Sequence, residues 1–326
     1  MNRVAVIGGG AWGTALAQVA AAAGRDVLLW AMEKDVVDAV NERRDNPLFL
    51  PGVALDPAIR ATINIDDIRD TDAWLVVTPA QHMRSVLERA PGCDAPLVLC
   101  SKGIEEHSGE MLHQVAAEAC PGTPVAVLSG PTFAHEVARG LPTAVTLAAE
   151  DRQVAERLRS AIARPAFRIY LSDDVAGAEI GGAVKNVLAI GCGVVEGRGL
   201  GQNARAALIA RGFAEMTRFG LAMGARHETL AGLSGLGDLV LTCSSTSSRN
   251  YSLGKGIGEG RSASELMADR RTVAEGAFTA PVLARIARER GIDMPIVDAV
   301  DRLLKGAAIG SVVEELLARP PRSEGV

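Results

Sequence analysis

The chain has 326 residues, 48% of them hydrophobic and 22% charged, with a net charge of −5. At roughly 150 residues per domain this predicts two folded domains and excludes a disordered chain. The acidic balance and the lack of a long basic run exclude a nucleic-acid groove or an anionic membrane surface as the main partner.

Five cysteines (Cys93, Cys100, Cys120, Cys192 and Cys243) show no C-x-x-C spacing, and the five histidines form no zinc-type pair. The expectation is free thiols, no metal and a reducing, cytoplasmic setting. The 21 residues between Arg3 and Arg25 carry no charge. That length suits a leader or a membrane span, but Gly8, Gly9, Gly10 and Gly13 interrupt it, each costing a helix interior about 1 kcal/mol.

Val4–Ile7 is a short β-branched run that reads as a buried parallel strand. Trp12–Ala23 reads as a helix closed by Gly24, and Val27–Trp30 as a second strand. The turn between the first strand and the helix matches G-x-G-x-x-G at Gly8, Gly10 and Gly13, with Ala11 and Trp12 between. Placed there, it predicts a dinucleotide pyrophosphate at a helix N-terminus; a glycine-rich turn without a ligand is the plain alternative. Further apolar runs at 73–77, 97–100 and 125–128 each end abruptly in polar or glycine-rich residues, among them Lys102. Runs at 143–147 and 167–171 add outer strands. The expected architecture is α/β: an N-terminal doubly wound Rossmann domain over 1–172 and an all-helical domain over 173–326.

In the second half, Ser172-Asp173-Asp174 forms an N-cap cluster. From Ile180 to Val195 only Lys185 and Asn186 are polar, and no acid lies at helical spacing from Lys185. A lysine buried without a partner has a lowered pKa and suits proton transfer; a snorkelling lysine, or one paired with a distant acid, is the alternative. Gly235 to Asp238 leads into a serine-rich stretch ending in Ser248-Arg249-Asn250. Arg249 is the only charge between Leu239 and Gly254, and it predicts a phosphate receptor on a loop. A tail with Pro320 and Pro321 closes the chain.

Together these strings resemble the glycerol-3-phosphate dehydrogenase family in its bacterial NAD(P)-dependent form. The resemblance is carried by Gly8–Gly13, 46–52, Ser101-Lys102-Gly103-Ile104-Glu105, Ser129-Gly130-Pro131-Thr132-Phe133-Ala134, Lys185-Asn186, 232–238, Ser248–Asn250 and Val273-Ala274-Glu275-Gly276. It implies reversible hydride transfer between NAD(P)H and dihydroxyacetone phosphate, feeding glycerophospholipid synthesis, in a homodimer. It makes Lys185 the catalytic proton donor and acceptor. Substrate contacts would come from Lys102, Gly130, Thr132, Lys185, Asp238, Ser248, Arg249 and Asn250. Cofactor contacts would come from the Gly8–Gly13 turn with Ala11 and Trp12, and from Lys102, Ala134, Arg249, Val273 and Glu275. Asp238 is expected to orient either the substrate or Lys185. Thr132 stands where the family often has serine.

The chain departs from the family after the second strand, where many bacterial members have basic residues and this chain has Met32-Glu33. Glu33 lies twenty residues after Gly13, where an acid accepts a hydrogen bond from the ribose 2′-OH. This predicts NADH over NADPH, unless Lys34, Arg43 or Arg44 neutralises a 2′-phosphate. A lysine-dependent hydroxy-acid dehydrogenase and a non-catalytic dinucleotide sensor are the rival readings.

Overall fold

The structure is a computed structural model and describes residues 1–92, 95–268 and 273–320. Cys93 and the tail from Pro321 onward lie outside the described residues. The chain divides into two compact units. The first holds residues 1–101 and 111–175, and the second holds 102–110 and 176–326.

The first unit is built on an eight-stranded sheet. Its strands are β1 (Arg3–Ile7), β2 (Asp26–Trp30), β3 (Ile59–Thr62), β4 (Ala73–Val76), β5 (Leu97–Leu99), β6 (Val125–Ser129), β7 (Thr143–Ala148) and β8 (Phe167–Ser172). Their order across the sheet is β3-β2-β1-β4-β5-β6-β7-β8. The first six run parallel in the 3-2-1-4-5-6 order of a doubly wound dinucleotide fold. β7 then turns antiparallel against β6, and β8 lies parallel to β7. The continuous apolar runs of β1 and β4 become fully buried central strands, as a parallel sheet requires.

β3 was not legible in the sequence. It reads Ile-Arg-Ala-Thr, four residues with Arg60 exposed, so only alternate side chains enter the core. Edge strands are commonly short and charged in this way, because an exposed ladder edge invites aggregation. The first helix, Ala11–Ala22, follows the expected span closely, and Gly24 beyond it takes a left-handed φ of 81°.

The second unit is helical. Its centre is the helix Val175–Gly197, in which every residue from Gly177 to Val195 is buried. Among the described residues this is the one helix long and apolar enough to cross a membrane, and its apolar window is wholly buried inside the unit. Its glycines explain how it packs. A Cβ on Gly193 would lie 2.1 Å from the Tyr251 carbonyl oxygen, and one on Gly254 would lie 1.9 Å from that of Ile190. The long helix and the helix Arg249–Gly258 therefore meet backbone to backbone, a spacing that only glycine permits.

Cys100, Cys192 and Cys243 are buried and not in disulfides. Cys120 is disulfide-bonded, which corrects the expectation of free thiols throughout. Disulfide pairing depends on Cα proximity in the fold, and spacing along the chain does not report it.

Candidate active site

The glycine turn occupies the C-terminal end of β1. Gly8 adopts a φ of +127°, which a side chain would strain. A Cβ on Gly13 would sit 1.8 Å from the Gly8 carbonyl oxygen, so helix and turn can close only on glycine, whereas a Cβ on Gly10 would meet nothing within 4 Å. Gly10 is the N-cap of the first helix and offers no side-chain hydrogen bond, leaving the first N–H groups as donors. The Trp12 indole N–H beside the turn, the Thr78 hydroxyl after β4 and the Ser129 hydroxyl at the end of β6 are buried without a protein partner. Strand ends, free helix N–H groups and orphaned donors together fit a bound dinucleotide phosphate. The same unit holds Gly130, Thr132 and Ala134 just past β6. The Thr132 hydroxyl reaches back to the Gly130 carbonyl at 3.4 Å, and Ala134 opens a short helix, Ala134–Ala138.

Glu33 lies three residues beyond β2 as the exposed N-cap of the helix Lys34–Asp38, with no capping hydrogen bond from its own side chain. The three nearby basic residues are engaged elsewhere. Lys34 pairs with Asp38 at 2.6 Å, Arg43 pairs with Asp45 at 3.4 Å, and Arg44 donates to the Ile59 carbonyl at 2.8 Å.

In the second unit a buried charge cluster forms around Asp238. One carboxylate oxygen accepts from Lys185 Nζ at 2.6 Å, and the other accepts from Lys102 Nζ at 2.6 Å. Thr242 Oγ1 accepts from Lys185 at 2.8 Å and lies 3.1 Å from Asp238 Oδ1. Asp238 is fully buried and Lys185 is 6% exposed. Burial is the largest influence on both groups, and it opposes charge on each. It brings the Lys185 ammonium down to about 8; Asp238 pulls the other way, and the Lys102 charge lowers it further. Burial would raise the Asp238 carboxyl, yet the Lys102 and Lys185 charges together hold it below the usual carboxylate range.

Lys185 is therefore not isolated as its own helix suggests. Its acid partner comes from 53 residues downstream. Of the two roles the sequence leaves open for Asp238, its contacts are those of a group orienting lysines. Thr242 escaped the sequence reading, although it stands four residues after Asp238 in the helix Asp238–Thr242 and so shares its face.

Arg249 opens a helix rather than sitting in a loop. Ser248 is the N-cap of Arg249–Gly258, and its hydroxyl accepts from the Tyr251 N–H at 3.2 Å. The Arg249 and Asn250 N–H groups at the first turn remain as donors, a geometry that favours an anion. Packing around the guanidinium lowers the Arg249 pKa and Glu275 raises it, although the residue as a whole is exposed; it stays cationic. The Asn250 side chain makes two hydrogen bonds within the unit. Its Nδ2 donates to Asn186 Oδ1 at 3.0 Å, and its Oδ1 accepts from the Gly276 N–H at 2.9 Å. Asn250 thus ties the residue after Lys185 to the Val273–Gly276 segment, and its second Nδ2 hydrogen remains as a donor. Among the described residues no cluster of metal-ligating side chains occurs.

Two family models match the chain. The N-terminal model of NAD-dependent glycerol-3-phosphate dehydrogenase covers residues 3–155, and the C-terminal model covers 174–313. A glycerol-3-phosphate dehydrogenase (NAD(P)+) of Erythrobacter litoralis is 66% identical over 98% of this chain and 97% of its own length. Its counterpart in Novosphingobium aromaticivorans is 65% identical over 98% of both. The crystal structure of glycerol-3-phosphate dehydrogenase from Coxiella burnetii matches with a TM-score of 0.93 at 37% identity, covering 98% of this chain and 99% of that one.

Proposed function

The chain belongs to the NAD-dependent glycerol-3-phosphate dehydrogenase family, and from that membership we infer that it catalyses reversible hydride transfer between NAD(P)H and dihydroxyacetone phosphate. The observation that carries the chemistry is the buried Lys185 held by Asp238 and Thr242. When bound, the nicotinamide cofactor supplies or accepts the hydride. The residues of the chain manage charge and protons. In reduction the Lys185 ammonium donates a proton to the developing alkoxide, and in oxidation the neutral amine removes the hydroxyl proton. With a pKa of about 8, both forms are accessible near neutrality. Asp238 fixes the Lys185 ammonium in one orientation while remaining ionised, and Lys102 on its other oxygen adds positive charge against the alkoxide. Arg249, with the free N–H groups at the start of its helix, takes the substrate phosphate and holds the carbonyl in register.

The glycine turn and the Trp12, Thr78 and Ser129 donors support dinucleotide binding in the first unit. Family membership further supports a homodimer working in the cytoplasm and supplying glycerol 3-phosphate for glycerophospholipid synthesis. Sedimentation velocity of the purified chain tests the dimer.

The phosphate separates this reading from a hydroxy-acid dehydrogenase, and the Lys185 cluster separates it from a dinucleotide sensor that turns nothing over. Wild-type enzyme should use dihydroxyacetone phosphate far better than dihydroxyacetone. Arg249→Ala should raise the KM for the phosphorylated substrate by one to two decades, since a charge-assisted contact contributes about 1.5–3 kcal/mol. An equal preference for dihydroxyacetone, or a change confined to the KM of the cofactor, would contradict the assignment of Arg249.

A further inference from the structure

Of the strings that carry the family resemblance, residues 46–52 take no part in the chemistry above. They begin with Asn46, whose surface is entirely buried. A buried amide needs partners for two donor hydrogens and an acceptor oxygen, and Asn46 has all three. Its Nδ2 donates to the Gly9 carbonyl at 2.9 Å and to the Thr14 hydroxyl at 2.8 Å. Its Oδ1 accepts the Phe49 N–H at 3.2 Å, and its own carbonyl accepts the Leu50 N–H at 2.8 Å, so the turn after it closes around the side chain. Thr14, also fully buried, completes the ring by donating to the Gly9 carbonyl at 3.3 Å.

Gly9 lies inside the glycine turn, between Gly8 and Gly10. The peptide unit that joins Gly9 to Gly10 has no Cβ on either side, so rotation about its flanking bonds costs little and the unit can flip unless something holds it. A trans peptide points its N–H opposite to its C=O. With the carbonyl drawn inward by two buried donors, the Gly10 N–H faces away from Asn46 and Thr14. Among the described residues no acceptor takes that N–H, and a Cβ built on Gly10 would meet nothing within 4 Å. The donor therefore opens onto free space at the start of the first helix.

We propose that Asn46, with Thr14 as its partner, is a positioning residue for the cofactor: it holds the Gly9 carbonyl inward and so aims the Gly10 N–H at the dinucleotide pyrophosphate. The proposal rests on the reading of the glycine turn as a dinucleotide site. The glycines give the turn its close approach to phosphate, and the same glycines leave its central peptide unrestrained. Asn46 supplies the missing restraint from 37 residues downstream.

The test is titration of the full-length chain with NADH, followed by cofactor fluorescence, together with the KM values for NADH and for dihydroxyacetone phosphate. Asn46→Leu keeps the approximate shape of the side chain and removes both donors. It should weaken NADH binding by about tenfold or more, because an oriented N–H to a charged phosphate is lost. The KM for NADH should rise in step, with the KM for dihydroxyacetone phosphate unchanged at saturating NADH. Thr14→Val removes one hydroxyl and should weaken NADH binding less, and Thr14→Ser should recover it; this pair carries the test if Asn46→Leu does not fold. A residue that merely stabilised the first unit would lower the melting temperature and leave the NADH Kd of the folded chain unchanged. That result overturns the proposal, as does an equal rise in both KM values, or Thr14→Ser binding NADH no better than Thr14→Val. A wild type that does not bind NADH overturns the dinucleotide reading itself, and the proposal with it.

Discussion

Lys185 shows how much chemistry one side chain can signal and what it conceals. Its place in a run of apolar residues marks it as a candidate for proton transfer, because lysine is rarely buried without a reason. The identity of its partner was hidden, since Asp238 and Thr242 lie 53 and 57 residues away along the chain. The contacts of Asn250 were hidden for the same reason: its side chain meets Asn186 and Gly276, 64 and 26 residues distant. The glycine turn was fully legible because all its determinants are local. The paired lysine makes a prediction with a definite sign. Burial sets the Lys185 pKa at about 8, so kcat/KM for glycerol 3-phosphate oxidation should rise as pH increases through about 8, as neutral lysine accumulates. For dihydroxyacetone phosphate reduction it should fall above the same pH. Profiles measured in both directions check this, and parallel limbs would exclude Lys185 as the proton carrier.

Whole helices were predicted better than their ends and crossings. Arg249 was expected in a loop because the serines before it suggest one, yet Ser248 in fact caps a helix. A more distant cap has a measurable consequence. Glu215, on the helix Gly201–Ala222, accepts the N–H groups of Ile296 and Val297 at 2.8 and 3.2 Å, at the start of the helix Pro295–Leu304. Burial pushes its carboxyl up to about 7, and the two backbone donors offset only part of that rise. A folded-state pKa above the unfolded value of 4.5 means that the native state retains a proton the unfolded chain releases. Its stabilisation is complete below about pH 4.5 and is lost as pH rises through about 7, by at most about 3 kcal/mol. Glu215→Gln cannot titrate and should flatten the decline in stability between pH 5 and pH 8 in urea unfolding. A slope equal to the wild type would show that Glu215 does not change charge in that window.

For the molecule as a whole, the doubly wound order followed from apolar runs separated by helical stretches, and the helical second half from its lack of strand-like runs. The grouping of residues 102–110 with the helical unit did not, because contacts that bring Lys102 to Asp238 span 136 residues. The acidic surface charge and the local environment of Glu33 bear on coenzyme choice. With Lys34, Arg43 and Arg44 engaged elsewhere, a 2′-phosphate near Glu33 would meet a carboxylate; like unit charges at 4 Å repel by about 4 kcal/mol at an effective dielectric near 20, less when exposed. NADH should therefore give the higher kcat/KM at fixed ionic strength, and Glu33→Arg should shift the ratio toward NADPH; a clear wild-type preference for NADPH would refute the role of Glu33. The central claim, proton transfer by Lys185 in a dihydroxyacetone phosphate reductase, is tested most directly by NADH oxidation in wild type and Lys185→Ala. Wild type should turn over, and the variant should lose about 10²–10⁴-fold or more in kcat while still binding NADH. No turnover by the wild type, or a folded variant retaining more than about a tenth of wild-type kcat when that range is expected, would contradict the account.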